Sequence, residues 1–91
     1  MKVYKFHADL GRMGDLHGVF VATSDQIQKA LGRDAYFGEV LGKHSDINVP
    51  LKGDMFKVLT DDVDFVSKFI RYQCESGFNP LHYLDDELAN G

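Results

Sequence analysis

The sequence predicts a single α+β domain of two layers, in which one main helix packs on a face of a mostly antiparallel sheet. The 91 residues are 44% hydrophobic and 12% aromatic, which is enough for one packed core. Five short runs rich in Val, Ile, Tyr and Phe, bounded by Gly or Pro, are typical of strands. One later segment repeats apolar residues every three or four positions and indicates a helix. The predicted order is ββαβββα, with the domain spanning residues 1–84.

The first elements are predicted to be two strands joined by a flexible connection, followed by a short helix. Residues 2–7 are rich in Val, Tyr and Phe and predict a strand, and a glycine-rich connection follows. Residues 19–22 are apolar on both faces, which suits a central strand covered on both sides. Thr23 and Gln26 have the spacing of a capping box, so a short helix is expected to begin there and to end at Gly32.

Three more strands are predicted in the middle of the chain, over residues 35–41, 47–52 and 55–59. In the second of these, apolar and polar residues alternate, as in a strand with one face buried. Proline has no backbone N–H to donate to a ladder, so Pro50 predicts either a strand at a sheet edge or an irregular stretch.

The main helix is predicted over residues 61–76. Acidic residues fill its first turn, where the helix dipole favours negative charge. Val66, Phe69 and Ile70 share a face and are expected to be buried against the sheet. Gly77 is interpreted as the stop signal of this helix.

The end of the chain is predicted to form a short helical turn followed by a loose tail. Asn79 followed by Pro80 predicts a short final helical turn, because these residues suit an N-cap and the first helical position. Residues 85–91 begin with three acids and are expected to form a loose tail.

Charge and composition narrow the function classes. The chain has 10 Lys and Arg against 14 Asp and Glu, for a net charge of −4, and three of the acids lie in the 85–91 tail. The rest is nearly neutral and carries no basic stripe, which argues against nucleic-acid binding. A single cysteine excludes an internal disulfide, and no apolar run has the length of a signal peptide or membrane span. A cytoplasmic setting is therefore expected.

The spacing of histidine and cysteine predicts no metal site, no cofactor and no catalytic cysteine. The four histidines do not occur at i,i+4, and no closely spaced pair of ligands is present along the chain. Cys74 is interpreted as a small hydrophobe near the apolar stripe of the main helix. The histidines are His7, His17, His44 and His82.

The best candidate site is the polar corner Gly42-Lys43-His44-Ser45, which follows the third predicted strand. It does not match a phosphate-binding P-loop, because His44 separates the lysine from the serine and a strand follows. We expect Lys43 to supply charge, with Ser45 and His44 as hydrogen-bond donors to an anion or to a partner. The alternative is a solvated turn. Tyr36, at the start of the same segment, is included as a residue able to stack on a ring.

Three segments of the chain resemble small uncharacterised proteins of bacteria and their phages. They are residues 19–23, residues 32–45 and residues 77–81, and the most distinctive part is the YFGEVLGKHS block at 36–45. The resemblance implies an accessory protein of a phage or mobile element, of a kind that often inhibits a host protein or sequesters a nucleotide. It implies no catalytic residues, because those proteins have no established activity.

The function predicted from the sequence is non-enzymatic binding. The segment 36–46 would hold a host protein or a small anionic ligand, and a homodimer interface is one location considered for it. One alternative is a small enzyme that uses His44 with a nearby acid such as Asp46 or Glu39. A subunit or assembly factor of a larger complex is the other.

Overall fold

A long antiparallel hairpin forms the centre of the fold. The computed structural model describes residues 1–41 and 46–84. Short 3₁₀ turns occupy Gly11–Met13, Gly53–Met55 and Pro80–Tyr83. The other elements are β1 (Lys2–Asp9), β2 (Asp15–Ala22), α1 (Ser24–Ala30), β3 (Asp34–Gly38), β4 (Ile47–Pro50), β5 (Phe56–Thr60), α2 (Val63–Arg71) and β6 (Ser76–Gly77).

The strands of the described residues divide between two antiparallel sheets. The larger sheet has the order β5-β1-β2-β6, and β3 pairs with β4 in the smaller one. β1 and β2 pair along their whole length, from Lys2 opposite Ala22 to Asp9 opposite Asp15. The predicted α+β class, the antiparallel pairing and the helix on a sheet face are confirmed. The division into two sheets was not predicted, because strand order depends on contacts distant in sequence.

The main core lies between one face of the hairpin and the smaller sheet. Alternate residues of β1 and β2 point into it, which follows from the two-residue period of a strand. Three aromatic rings anchor the centre: the Phe6 centroid lies 6.2 Å from that of Phe37 and 5.5 Å from that of Phe56. The other buried members are Tyr4, Ala8, Leu16, Phe20, Ala22, Ile27, Ala30, Ala35, Ile47, Val49 and Leu51.

Helix α2 covers part of the opposite face of the large sheet. Val66 and Phe69 are buried there against Val3, with Val19 and Val21 partly buried around them. The prediction that Ile70 is buried is wrong, because its side chain is 52% exposed. The reason is that this face of the sheet offers only a narrow apolar strip, too small to cover the full width of the helix's apolar side.

The bounds of α2, β2 and β3 differ most from the prediction. α2 ends at Arg71 rather than near residue 76, and Gln73 then adopts a left-handed conformation with φ of 53°. This turn lets the chain return to pair as β6 beside β2, so Gly77 belongs to a strand and is not the helix stop. β2 begins at Asp15 rather than 19 because β1 supports it, and β3 ends at Gly38, whose φ is 71°.

Several local predictions are confirmed. The Thr23 hydroxyl accepts the Gln26 N–H at 3.1 Å and the Gln26 side chain accepts the Thr23 N–H at 2.9 Å, which completes the capping box. β4, which contains Pro50, lies in a two-stranded sheet and pairs only with β3 among the described residues. Asn79 caps the final turn by accepting the Leu81 N–H at 3.0 Å.

Two further predictions concern the chain ends and membranes. The predicted loose tail, residues 85–91, lies outside the described residues. Within the described part of the chain, no helix combines the length and the apolar character that a membrane crossing needs.

Candidate functional site

The candidate corner Gly42-Lys43-His44-Ser45 lies outside the described residues, so its anion-binding role stays a prediction. The structure does describe both sides of it. Tyr36 lies on β3 and is 55% exposed, consistent with a residue available to a ligand. Asp46, also exposed, immediately precedes β4.

The described flanks of this segment are acidic. The Tyr36 hydroxyl donates a hydrogen bond to Asp46 Oδ1 at 3.1 Å. This hydrogen bond raises the pKa of Tyr36 above its usual value, and the negative charges of Asp46 and Glu39 add to the effect. An anion that approached Tyr36 would meet these carboxylates. The described geometry near Tyr36 therefore favours a donor or cationic group of a partner over a free anion.

The alternative enzyme, with His44 acting beside Asp46 or Glu39, gains no support from the described residues. His44 lies outside them, and Asp46 is engaged by the Tyr36 hydroxyl. The interpretation of Cys74 as a small hydrophobe near the apolar stripe of the main helix does not hold in the structure. Because α2 ends at Arg71, Cys74 lies beyond the helix and is exposed.

A more distinct surface feature is strand β5, whose residues Phe56–Thr60 we call the β5 edge. β5 is one of the two outermost strands of the large sheet, and no strand pairs with its outer side in the described part of the chain. Val58 is 44% exposed and Leu59 is 48% exposed. A sheet edge of this kind presents unpaired backbone N–H and C=O groups beside apolar side chains.

Charge also marks the β5 edge. Lys57 lies directly opposite Lys5 of β1, and both are exposed. Like charges opposite each other in an antiparallel pair are unfavourable. The two lysines therefore favour binding of a partner that places an acidic group beside them.

Exposed apolar residues continue from the β5 edge into α2. Two residues separate the strand from the helix, whose first turn carries Val63 and Phe65 with exposed fractions of 76% and 52%. Only the centre of the helix's apolar side is buried, as described above. The sequence periodicity correctly predicted the apolar stripe but not how much of it the sheet leaves uncovered.

The structure also brings together His7, Asp15 and His17, which the sequence analysis did not group. The sequence predicted no metal site because no two potential ligands are closely spaced along the chain. Residues that pair across a hairpin can be close in space without being close in sequence. Register is the signal that would have found them: if the Gly11–Gly14 segment closes a β1–β2 hairpin, His7 falls opposite His17. Among the described residues, His82 lies apart from this group, in the last 3₁₀ turn.

Comparison with known proteins adds no family to these observations. No family model, curated protein or solved structure matches this chain. The function therefore has to be argued from the fold and its surfaces.

Proposed function

We propose that this protein is a non-enzymatic binding protein that captures an extended, acidic segment of a partner protein along the β5 edge. The observation that carries the proposal is an outer strand whose free side has no partner strand among the described residues, and on which Val58 and Leu59 are about half exposed. An extended segment that adds to such an edge gains backbone hydrogen bonds along its length. It also covers apolar side chains that the domain itself leaves in water.

The charge of the β5 edge selects the kind of segment. Natural sheet edges often carry lysine, which discourages pairing with other strands. Here Lys57 and Lys5 would repel a second β5 edge with the same charges but would attract an aspartate or glutamate. The expected segment alternates apolar residues with acids, so that one face covers Val58 while an acid reaches Lys57.

The resemblance to accessory proteins of bacteria and phages supports a host protein as the source of this segment. Binding alone accounts for such a role, because an inhibitor needs only to occupy a partner's surface. The small anionic ligand predicted for the Gly42-Lys43-His44-Ser45 corner remains a separate hypothesis. It depends on residues outside the described part of the chain.

The proposal is tested with a displayed library of eight-residue peptides that alternate apolar and variable positions, selected on the full chain. Acidic peptides are expected to be enriched. The selected peptides should shift the backbone amide signals of Phe56–Thr60 in a two-dimensional NMR spectrum more than those of β4, which is another edge strand. Shifts centred on β4 or on Tyr36 would contradict the proposal.

Charge exchange supplies the matched variant test. The Lys57→Glu variant should bind the acidic peptides about tenfold or more weakly than the wild type. The same variant should bind peptides in which the acid is replaced by lysine. Lys52→Glu is the control, because Lys52 is also exposed but lies before the 3₁₀ turn that precedes β5. Equal binding by wild type and Lys57→Glu would refute the role of the β5 edge. Light scattering on the unliganded protein gives its mass. It therefore distinguishes that result from one in which the β5 edges of two copies pair with each other.

A further inference from the structure

Three side chains of types that can bind a metal ion lie close together on the exposed face of the β1–β2 hairpin. His7 Nε2 lies 3.0 Å from Asp15 Oδ2, and His17 Nε2 lies 3.9 Å from the same oxygen. The three potential ligand atoms all lie within 4.8 Å of one another. We propose that His7, Asp15 and His17 form a binding site for one divalent transition-metal ion of the zinc type.

The hairpin register explains why these side chains meet. His7 and His17 are directly opposite each other, and Asp15 lies two residues before His17 on the same face. The His17 carbonyl accepts the Phe78 N–H at 2.8 Å, on the side away from β1. His7 and His17 are therefore a pair without direct backbone bonds between them, the type in which side chains lie closer. Their rings stack at 4.5 Å between centroids.

The donor set and spacing suit zinc. Zinc binds imidazole nitrogen and carboxylate oxygen at about 2.0–2.2 Å, so two ligands of a tetrahedral site lie roughly 3.4 Å apart. The 3.0 and 3.9 Å separations fall on either side of this value. The rings are nearly parallel, at 7°, so both must tilt for their nitrogens to converge on one ion. These side chains are exposed, which leaves them free to make that adjustment.

Two nitrogen donors and one oxygen favour zinc, cobalt or nickel over magnesium or calcium, which prefer oxygen ligands alone. Three protein ligands leave at least one coordination position for water or for a donor from another molecule. Because the ligands come from both strands, the ion would join β1 to β2. It would therefore bind the folded hairpin better than the unfolded chain and stabilise the domain. This site is independent of the proposed function at the β5 edge.

The proposed metal site is tested by calorimetric titration of the metal-free full chain with Zn²⁺. One ion per chain is expected, with a higher unfolding temperature in its presence. His7→Ala and His17→Ala should each weaken binding by about tenfold or more, and Asp15→Asn should weaken it while keeping the side-chain size. His82→Ala is the control, because His82 is an exposed histidine outside the group.

Co²⁺ provides a second readout that does not depend on stability. Its visible absorption should indicate coordination by nitrogen ligands in the wild type, and this signal should be lost in His7→Ala and His17→Ala. Absence of saturable binding at millimolar Zn²⁺ would overturn the proposal. So would equal affinity in these variants and in wild type, which would mean that the three residues form only a hydrogen-bonded cluster.

Discussion

Phe69→Ala tests how α2 is held on the sheet, with Phe65→Ala as its partner variant on the same helix. Phe69 is 9% exposed and packs with Val3 and Val66 in a small cluster. Phe65 is 52% exposed. The two substitutions remove the same atoms at sites that differ mainly in burial, so the difference between them measures the contribution of packing.

The expected magnitudes follow from that burial. Truncation of a buried phenylalanine costs about 3–5 kcal/mol, the sum of lost transfer energy and a cavity. We expect about 3 kcal/mol for Phe69, because its cluster is thin and the helix can settle toward the sheet. For Phe65 we expect about 1 kcal/mol, since roughly half of its transfer energy is lost and no cavity forms.

Urea unfolding, followed by circular dichroism, is the assay. With a denaturant slope of about 1 kcal/mol per molar, the midpoint should fall by about 3 M for Phe69→Ala and by about 1 M for Phe65→Ala. Equal shifts for the two variants would refute the packing described for α2. A Phe69→Ala midpoint equal to that of wild type would show that this face of the helix is in water.

Three further predictions follow from other parts of the fold. Gly18→Ala should cost about 2–3 kcal/mol in thermal unfolding, because its Cβ would collide with the backbone carbonyl of Phe78; Gly53→Ala, whose added Cβ would meet only the Leu31 side chain at 4.0 Å, should cost less. Asp46→Asn should lower the raised pKa of Tyr36 in an ultraviolet titration of the phenol, and an unchanged titration would contradict the hydrogen bond. The hydrogen bond contributes to the free energy of unfolding below the ordinary tyrosine pKa of about 10. This contribution is lost as the pH rises through the raised pKa of Tyr36. A homodimer at micromolar concentration is expected, because Pro50 marks a sheet edge and small domains often bury apolar surface by pairing; it would use the open side of β4, and light scattering that gives the mass of one chain at high concentration would exclude it.

Local patterns in the sequence determined the features that depend on near neighbours. The Thr23 capping box depends on residues three apart, and the stripe of α2 depends on residues three and four apart. Alternation over 47–52 likewise predicted a strand with one buried face, which is β4 at Ile47–Pro50, and Pro50 indicated a sheet edge. Each of these was confirmed because short-range geometry is set by the backbone itself.

Tertiary structure decided which of these elements meet. Strand pairing across the hairpin brought His7 to His17, although ten positions separate them in the chain. Ile70 is exposed because the apolar strip of the sheet is narrow, although the helix pattern predicted that Ile70 and Phe69 would both be buried. The order of the large sheet left the β5 edge open. Register, strand order and the area of contact are set by long-range packing, and no local pattern encodes them.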